Sequence, residues 1–113
     1  MKLLALAAAA GALSLGGSAP ARVQVVAKEY SLALSRVHVR AGEATIELTN
    51  FGQDPHDLRL QRVGARHIAG LGVVGPGKRA DLSLKLAPGR YSVWCSVANH
   101  RALGMHATLV VSR

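Results

Sequence analysis

Internal disulfides are excluded from this protein at the outset, because its 113 residues contain a single cysteine, Cys95. The covalent staple that small exported domains ordinarily use is therefore missing. Aromatic residues are also scarce, with one Trp, one Phe and two Tyr, too few for a platform on which bases could stack. Acidic residues number six against fourteen Lys and Arg, a formal net charge of +8. The basic side chains are scattered singly, at Arg36, Arg40, Arg59, Arg62, Arg66, Lys85, Arg90 and Arg101, and the one doublet, Lys78 and Arg79, follows a turn signal. Scattered charge argues against nucleic acid and for an acidic protein partner or plain solubility. Long apolar runs are absent beyond residues 3–15, and that stretch falls short of the roughly 20 residues a bilayer span needs.

What is present begins with that stretch. "MKLLALAAAAGALSLGGSAPAR" has Lys2, an apolar run and then small residues, and "APA" at 19–21 fits the small-x-small pattern of signal-peptide cleavage. The sequence predicts a signal peptide over 1–21 and one mature domain over 22–113. No cysteine at the cleavage site offers a lipid anchor, and no twin-arginine pair marks the leader, so export by the general route to the periplasm or beyond is expected. An uncleaved leader serving as an anchor is the alternative. Removing Lys2 leaves thirteen basic and six acidic residues, a formal +7.

The mature region reads as strands. "GEATIELTNF" alternates, with Ala44, Ile46 and Leu48 against Thr45, Glu47 and Thr49. "RADLSLKLAPG" repeats the pattern, with Leu82, Leu84 and Leu86 against Asp81, Ser83 and Lys85. "RYSVWC" puts Tyr91, Val93 and Cys95 on one face, and "RVQVVAKEY", "SRVHVR" and "ATLVVSR" complete the set. Turn signals at 40–43, 50–55, 75–78 and 87–90 separate the runs. An all-β, antiparallel β-sandwich of about seven strands is expected. The stretch "QRVGARHIAGLGVV" fits a strand, a helical turn or a loop equally.

A lone thiol outside the cytoplasm oxidises or cross-links unless it is buried or bound. Taken by itself, Cys95 is most simply a packing thiol on a core-facing position. Its neighbours change that reading. In "CSVANHRALGM", His100 follows Cys95 by five places and Met105 follows His100 by five. A thiolate, an imidazole and a thioether on one inter-strand segment form most of a ligand set that suits copper. A second histidine must come from elsewhere, and "NFGQDPHDLRL" offers His56 at the start of a strand, behind the stiffening Pro55.

Pro-His-Asp, then "PGK" and a leucine-rich strand, then Y-x-V-x-C-x4-H-x4-M resembles the cupredoxin family of small type 1 blue copper proteins, of the plastocyanin, auracyanin and rusticyanin kind. The resemblance covers nearly all of 22–113 and implies a Greek-key sandwich. It further implies one copper per chain, with His56 and His100 giving nitrogens, Cys95 the thiolate and Met105 a long axial bond. Asp57 would donate its backbone N–H to the cysteine sulfur and tie two loops with its side chain. Asn99, where many relatives have Gly, would take an unusual backbone angle.

The other histidines point elsewhere. His38, between Val37 and Val39, which face inward by alternation, should face solvent, and His67 and His106 read as surface residues. Trp94 covers the opposite face of its strand. The function implied is an exported one-electron carrier that is not an enzyme. Its partner would be a redox protein with an acidic docking surface, docking on an apolar patch around an exposed edge of His100. The chain would be a monomer with no nucleic-acid role and no stable membrane span once the leader is removed. The competing reading is a copper-binding or copper-delivery protein of the periplasm with no electron-transfer role. Multicopper oxidases flank the ligand cysteine with histidines, whereas Trp94 and Ser96 stand here.

Overall fold

A computed structural model describes residues 19–113. The expected leader lies, up to residue 18, outside the described residues; Ala21, its expected last residue, opens the first strand.

The described residues form nine strands and one helical turn: β1 (Ala21–Lys28), β2 (Ser31–Leu34), β3 (His38–Arg40), β4 (Gly42–Asn50), β5 (His56–Arg62), β6 (Ala69–Val74), β7 (Arg79–Leu86), β8 (Gly89–Trp94), α1 (His100–Leu103) and β9 (His106–Ser112). They form a four-stranded sheet in the order β2-β1-β4-β7 and a five-stranded sheet in the order β3-β9-β8-β5-β6. The expected sandwich is there, with two strands more than about seven. β2 comes from a run that alternation alone does not separate from β1. β6 comes from the unreadable stretch, as an edge strand whose two glycines erase any alternation.

Most pairings are antiparallel, but β1 pairs with β4 and β3 with β9 in parallel. The cause is the route of the chain. After β2 it crosses to the other sheet for β3 and returns for β4, so β1 and β4 are not joined by a hairpin. Alternation then fills the space between the sheets. Val23 pairs with Ile46 and Val25 with Leu48 on one sheet. Leu60 pairs with Val93, and Tyr91 with Leu109, on the other. All eight are buried. On edge strand β7, Leu82 and Leu84 stay partly open while Leu86 is buried. Val39 faces inward as expected, but Val37 precedes β3, escapes its pleat and is 61% exposed.

The consequence for the site is positional. One end of the sandwich gathers the β1–β2 turn, the loop between β4 and β5, and the segment between β8 and β9.

Candidate metal centre

The first part of the site is set by a buried amide. Asn50, at the end of β4, is fully buried. Its Nδ2 donates to the carbonyls of Asp54 (2.8 Å) and Val74 (2.9 Å), and its Oδ1 accepts from the Gly52 N–H at 2.8 Å. Three bonds from one side chain fold the 50–55 loop back on itself. Pro55 then leads the chain into β5 with His56, fully buried, as its first residue.

The second part is the 95–105 segment. The Cys95 N–H donates to the Met105 carbonyl at 3.1 Å, closing the base of the segment. Within it the chain makes the single turn α1 rather than an open loop, with His100 N–H on the Val97 carbonyl and Met105 N–H on the His100 carbonyl. Gly104, at φ 133°, ends the turn. A Cβ there would lie 2.6 Å from the Tyr30 carbonyl, so only glycine fits. The unusual backbone angle falls one residue before the expected place. Ala98 takes φ 44°, while Asn99 has an ordinary φ of −100°. Asn99 instead caps α1, its carbonyl accepting from Leu103 N–H, and the reversal is left to its neighbour.

These elements bring His56, Cys95 and His100 together, all three buried. The two Nδ1 atoms are 3.2 Å apart, and the Cys95 Sγ lies 3.9 Å from the one and 3.8 Å from the other. A triangle with these sides has its centre about 2.1 Å from every corner, a typical metal–nitrogen length and only slightly short for metal–sulfur. The donor set therefore fits one ion of the borderline-to-soft kind, as two imidazoles and a thiolate suit. Met105 is fully buried in the same core cluster as Cys95.

The surroundings hold the donors in place. Asp57 Oδ1 accepts from the Ser96 N–H at 2.6 Å, and its Oδ2 accepts from the Ser96 hydroxyl, so the carboxylate ties β5 to the cysteine segment as expected. Burial pushes the Cys95 thiol up, and the backbone N–H groups of Asp57 and Val97 pull it part of the way back.

Beyond the expected residues, Glu29 Oε2 lies 2.5 Å from His56 Nε2. The Gln53 N–H, more than any other contact, holds the Glu29 carboxyl below its ordinary range. The Tyr30 ring lies 5.3 Å from the His100 ring, and Asp54 Oδ2 lies 3.4 Å from His100 Nε2. This cover leaves the His100 side chain only 7% exposed, which corrects the expectation of an open outer edge. No spacing signal points to Glu29 or Tyr30, since parallel β1–β4 pairing brings them here from 27 and 70 residues away.

The model for the cupredoxin-like domain family matches residues 2–111. The chain belongs to that family. Among solved structures, this cupredoxin is similar to a dithionite-reduced auracyanin from Roseiflexus castenholzii, with a TM-score of 0.68, 18% identity, and coverage of 86% of this chain and 100% of that one. It is also similar to auracyanin A, a "blue" copper protein from Chloroflexus aurantiacus (TM-score 0.65, 19% identity, 82% of this chain and 99% of that one). Copper nitrite reductase from Nitrosomonas europaea shares the fold at a TM-score of 0.64 and 17% identity, over 83% of this chain and 42% of that one. No curated protein sequence matches. At such identities the neighbours show the fold, and the fold serves both small copper proteins and domains of larger enzymes.

The remaining histidines lie outside the cluster. His38 is exposed and shares a hydrogen bond with Ser112 Oγ at 2.8 Å. His67 and His106 are exposed. Trp94 is buried under the Arg101 guanidinium, 4.3 Å above its ring.

Proposed function

We propose that this cupredoxin is an exported one-electron carrier. In this reading His56, Cys95 and His100 hold one type 1 copper and Met105 supplies its weak axial bond. The observation that carries the reading is the buried donor triangle, already sized for one ion. When bound, copper would supply reversible one-electron exchange between Cu(I) and Cu(II). The chain supplies rigidity: the bond closing Cys95 on Met105, the Asn50 loop and the Asp57 tie leave the donors little room to rearrange, which keeps electron exchange fast. Burial of all three donors also disfavours the copper-delivery reading, which needs ligands that a recipient can reach. Nothing beside Cys95 resembles the flanking histidines through which multicopper oxidases pass electrons onward, which supports a carrier over an enzyme.

Tyr30, Phe51 and Leu103, 43%, 68% and 49% exposed, form an apolar rim at this end of the molecule. Such a rim suits a small, brief interface, and the positive surface would steer an acidic redox partner to it. The protein is expected to act as a monomer, beyond the cytoplasm, after removal of 1–21. Voltammetry of the copper-loaded protein is the test. A fast, reversible one-electron wave is expected; a wave that is irreversible or needs copper loss would exclude a carrier.

A further inference from the structure

Both histidines of the donor triangle have a second ring nitrogen, and each meets a carboxylate. The two contacts are unequal. His100 Nε2 faces Asp54 at 3.4 Å, and that carboxylate is 46% exposed. His56 Nε2 faces Glu29 at 2.5 Å, with the histidine side chain wholly buried and the glutamate 23% exposed. Glu29 is itself fixed from the other side: its Oε1 accepts the Gln53 N–H at 2.7 Å and its Oε2 the Asp54 N–H at 3.4 Å. Gly52 completes the cradle. A Cβ on Gly52 would lie 2.0 Å from Glu29 Oε2 and 2.9 Å from His56 Nε2, so the absence of a side chain there is what lets the carboxylate reach the ring.

We propose that Glu29 is the positioning residue of the metal centre. Its carboxylate holds a proton on His56 Nε2, leaves Nδ1 as the metal-binding nitrogen, locks the ring's orientation, and places a negative charge that favours the more highly charged state of the bound ion. Imidazole has two nitrogens, and only the one turned toward Cys95 and His100 is useful. A carboxylate on the far nitrogen makes that selection and raises the basicity of the near one. The neighbouring residue acts in parallel: the Tyr30 ring lies against His100, and its carbonyl packs on Gly104 just before Met105. A two-residue turn, Glu29 and Tyr30, thus covers both imidazoles. The effect on redox balance rests on the copper reading above; the effect on the ring rests on the geometry alone.

The experiment compares wild type with Glu29→Gln, which keeps the shape and removes the charge. Gly52→Ala serves as a second variant, whose methyl group displaces the carboxylate and also presses on the His56 ring. Three readouts are taken: the His56 Nε2 proton of the metal-free protein by nitrogen-15 NMR, Zn(II) affinity, and the reduction potential of the copper-loaded protein. In wild type the Nε2 proton should be slow to exchange and shifted downfield, and Gly52→Ala should lose both properties. Zn(II) affinity should fall about 10–100-fold in both variants. The potential should rise by about a tenfold change in the Cu(I)/Cu(II) ratio, 59 mV for one electron. Asp54→Asn should act in the same direction and more weakly. A wild-type His56 without a proton on Nε2, or Zn(II) affinity and potential within twofold of wild type in both variants, would overturn the proposal. Should wild type show no thiolate-to-copper band while Zn(II) affinity still falls in the variants, the positioning role stands and the copper reading falls.

Discussion

Asn50→Ala removes the side chain on which the His56 loop depends. In the folded protein that side chain makes three hydrogen bonds, two donated to the carbonyls of Asp54 and Val74 and one accepted from the Gly52 N–H. At about 0.5–1.5 kcal/mol net for each bond, their loss costs about 3 kcal/mol, and more where the Val74 carbonyl is left buried without a donor. For a domain of this size that corresponds to a fall in Tm of roughly 12–24 °C. Asn50→Asp sharpens the reasoning. An aspartate can still accept from Gly52 but offers an oxygen to two carbonyl oxygens, so it should cost at least as much as alanine at neutral pH. Urea denaturation of the metal-free proteins, followed by circular dichroism, gives both values. A cost below about 0.5 kcal/mol for Asn50→Ala, or an aspartate variant as stable as wild type, would refute the assignment of this amide as the anchor of the loop.

Replacing Met105 by Leu should leave the visible colour in place and raise the reduction potential, since loss of an axial donor disfavours Cu(II) more than Cu(I); an unchanged potential in voltammetry would show that Met105 is no ligand. Ala98→Gly should stabilise the protein by about 0.5–1 kcal/mol in denaturant titration, because glycine relieves the cost of φ 44° in excess of its own entropy. Glu29 is ionised in the fold below its ordinary value of 4.5, so the stability it adds is present above that pH and lost as pH falls through the lower, folded value. Denaturation of metal-free wild type and Glu29→Gln should therefore show a gap near neutrality that closes in acid.

Strands whose two faces differ were legible in the sequence. Residues 44–49 and 81–86 alternate because one side of each turns toward the core: Ala44, Ile46 and Leu48 are buried, while on edge strand β7 Leu82 and Leu84 are half-buried and Leu86 is buried. Where both faces are alike the signal vanishes: β6 is an edge strand, "AGLGVV", with one buried residue. The short helix α1 was hidden for another reason. Four residues carry no amphipathic period, and the turn is held by Gly104 and the bonds around Met105 rather than by its own pattern. Of the three donors that the structure brings together, Cys95 and His100 could be read because they share one short segment, and His56 because Pro and Asp bracket it; Met105 as a donor is a proposal. Glu29 and Tyr30 could not. Their place at the site depends on a parallel pairing across a crossover, and no local spacing encodes it.

In the proposed function, the triangle of His56, Cys95 and His100 holds a type 1 copper. Titration of the purified metal-free protein with Cu(II), followed by visible absorption, tests it most directly. An intense thiolate-to-copper charge-transfer band is expected, saturating at one equivalent and missing in Cys95→Ser. Stoichiometric copper binding without an intense visible band, or the same band in the serine variant, would contradict it.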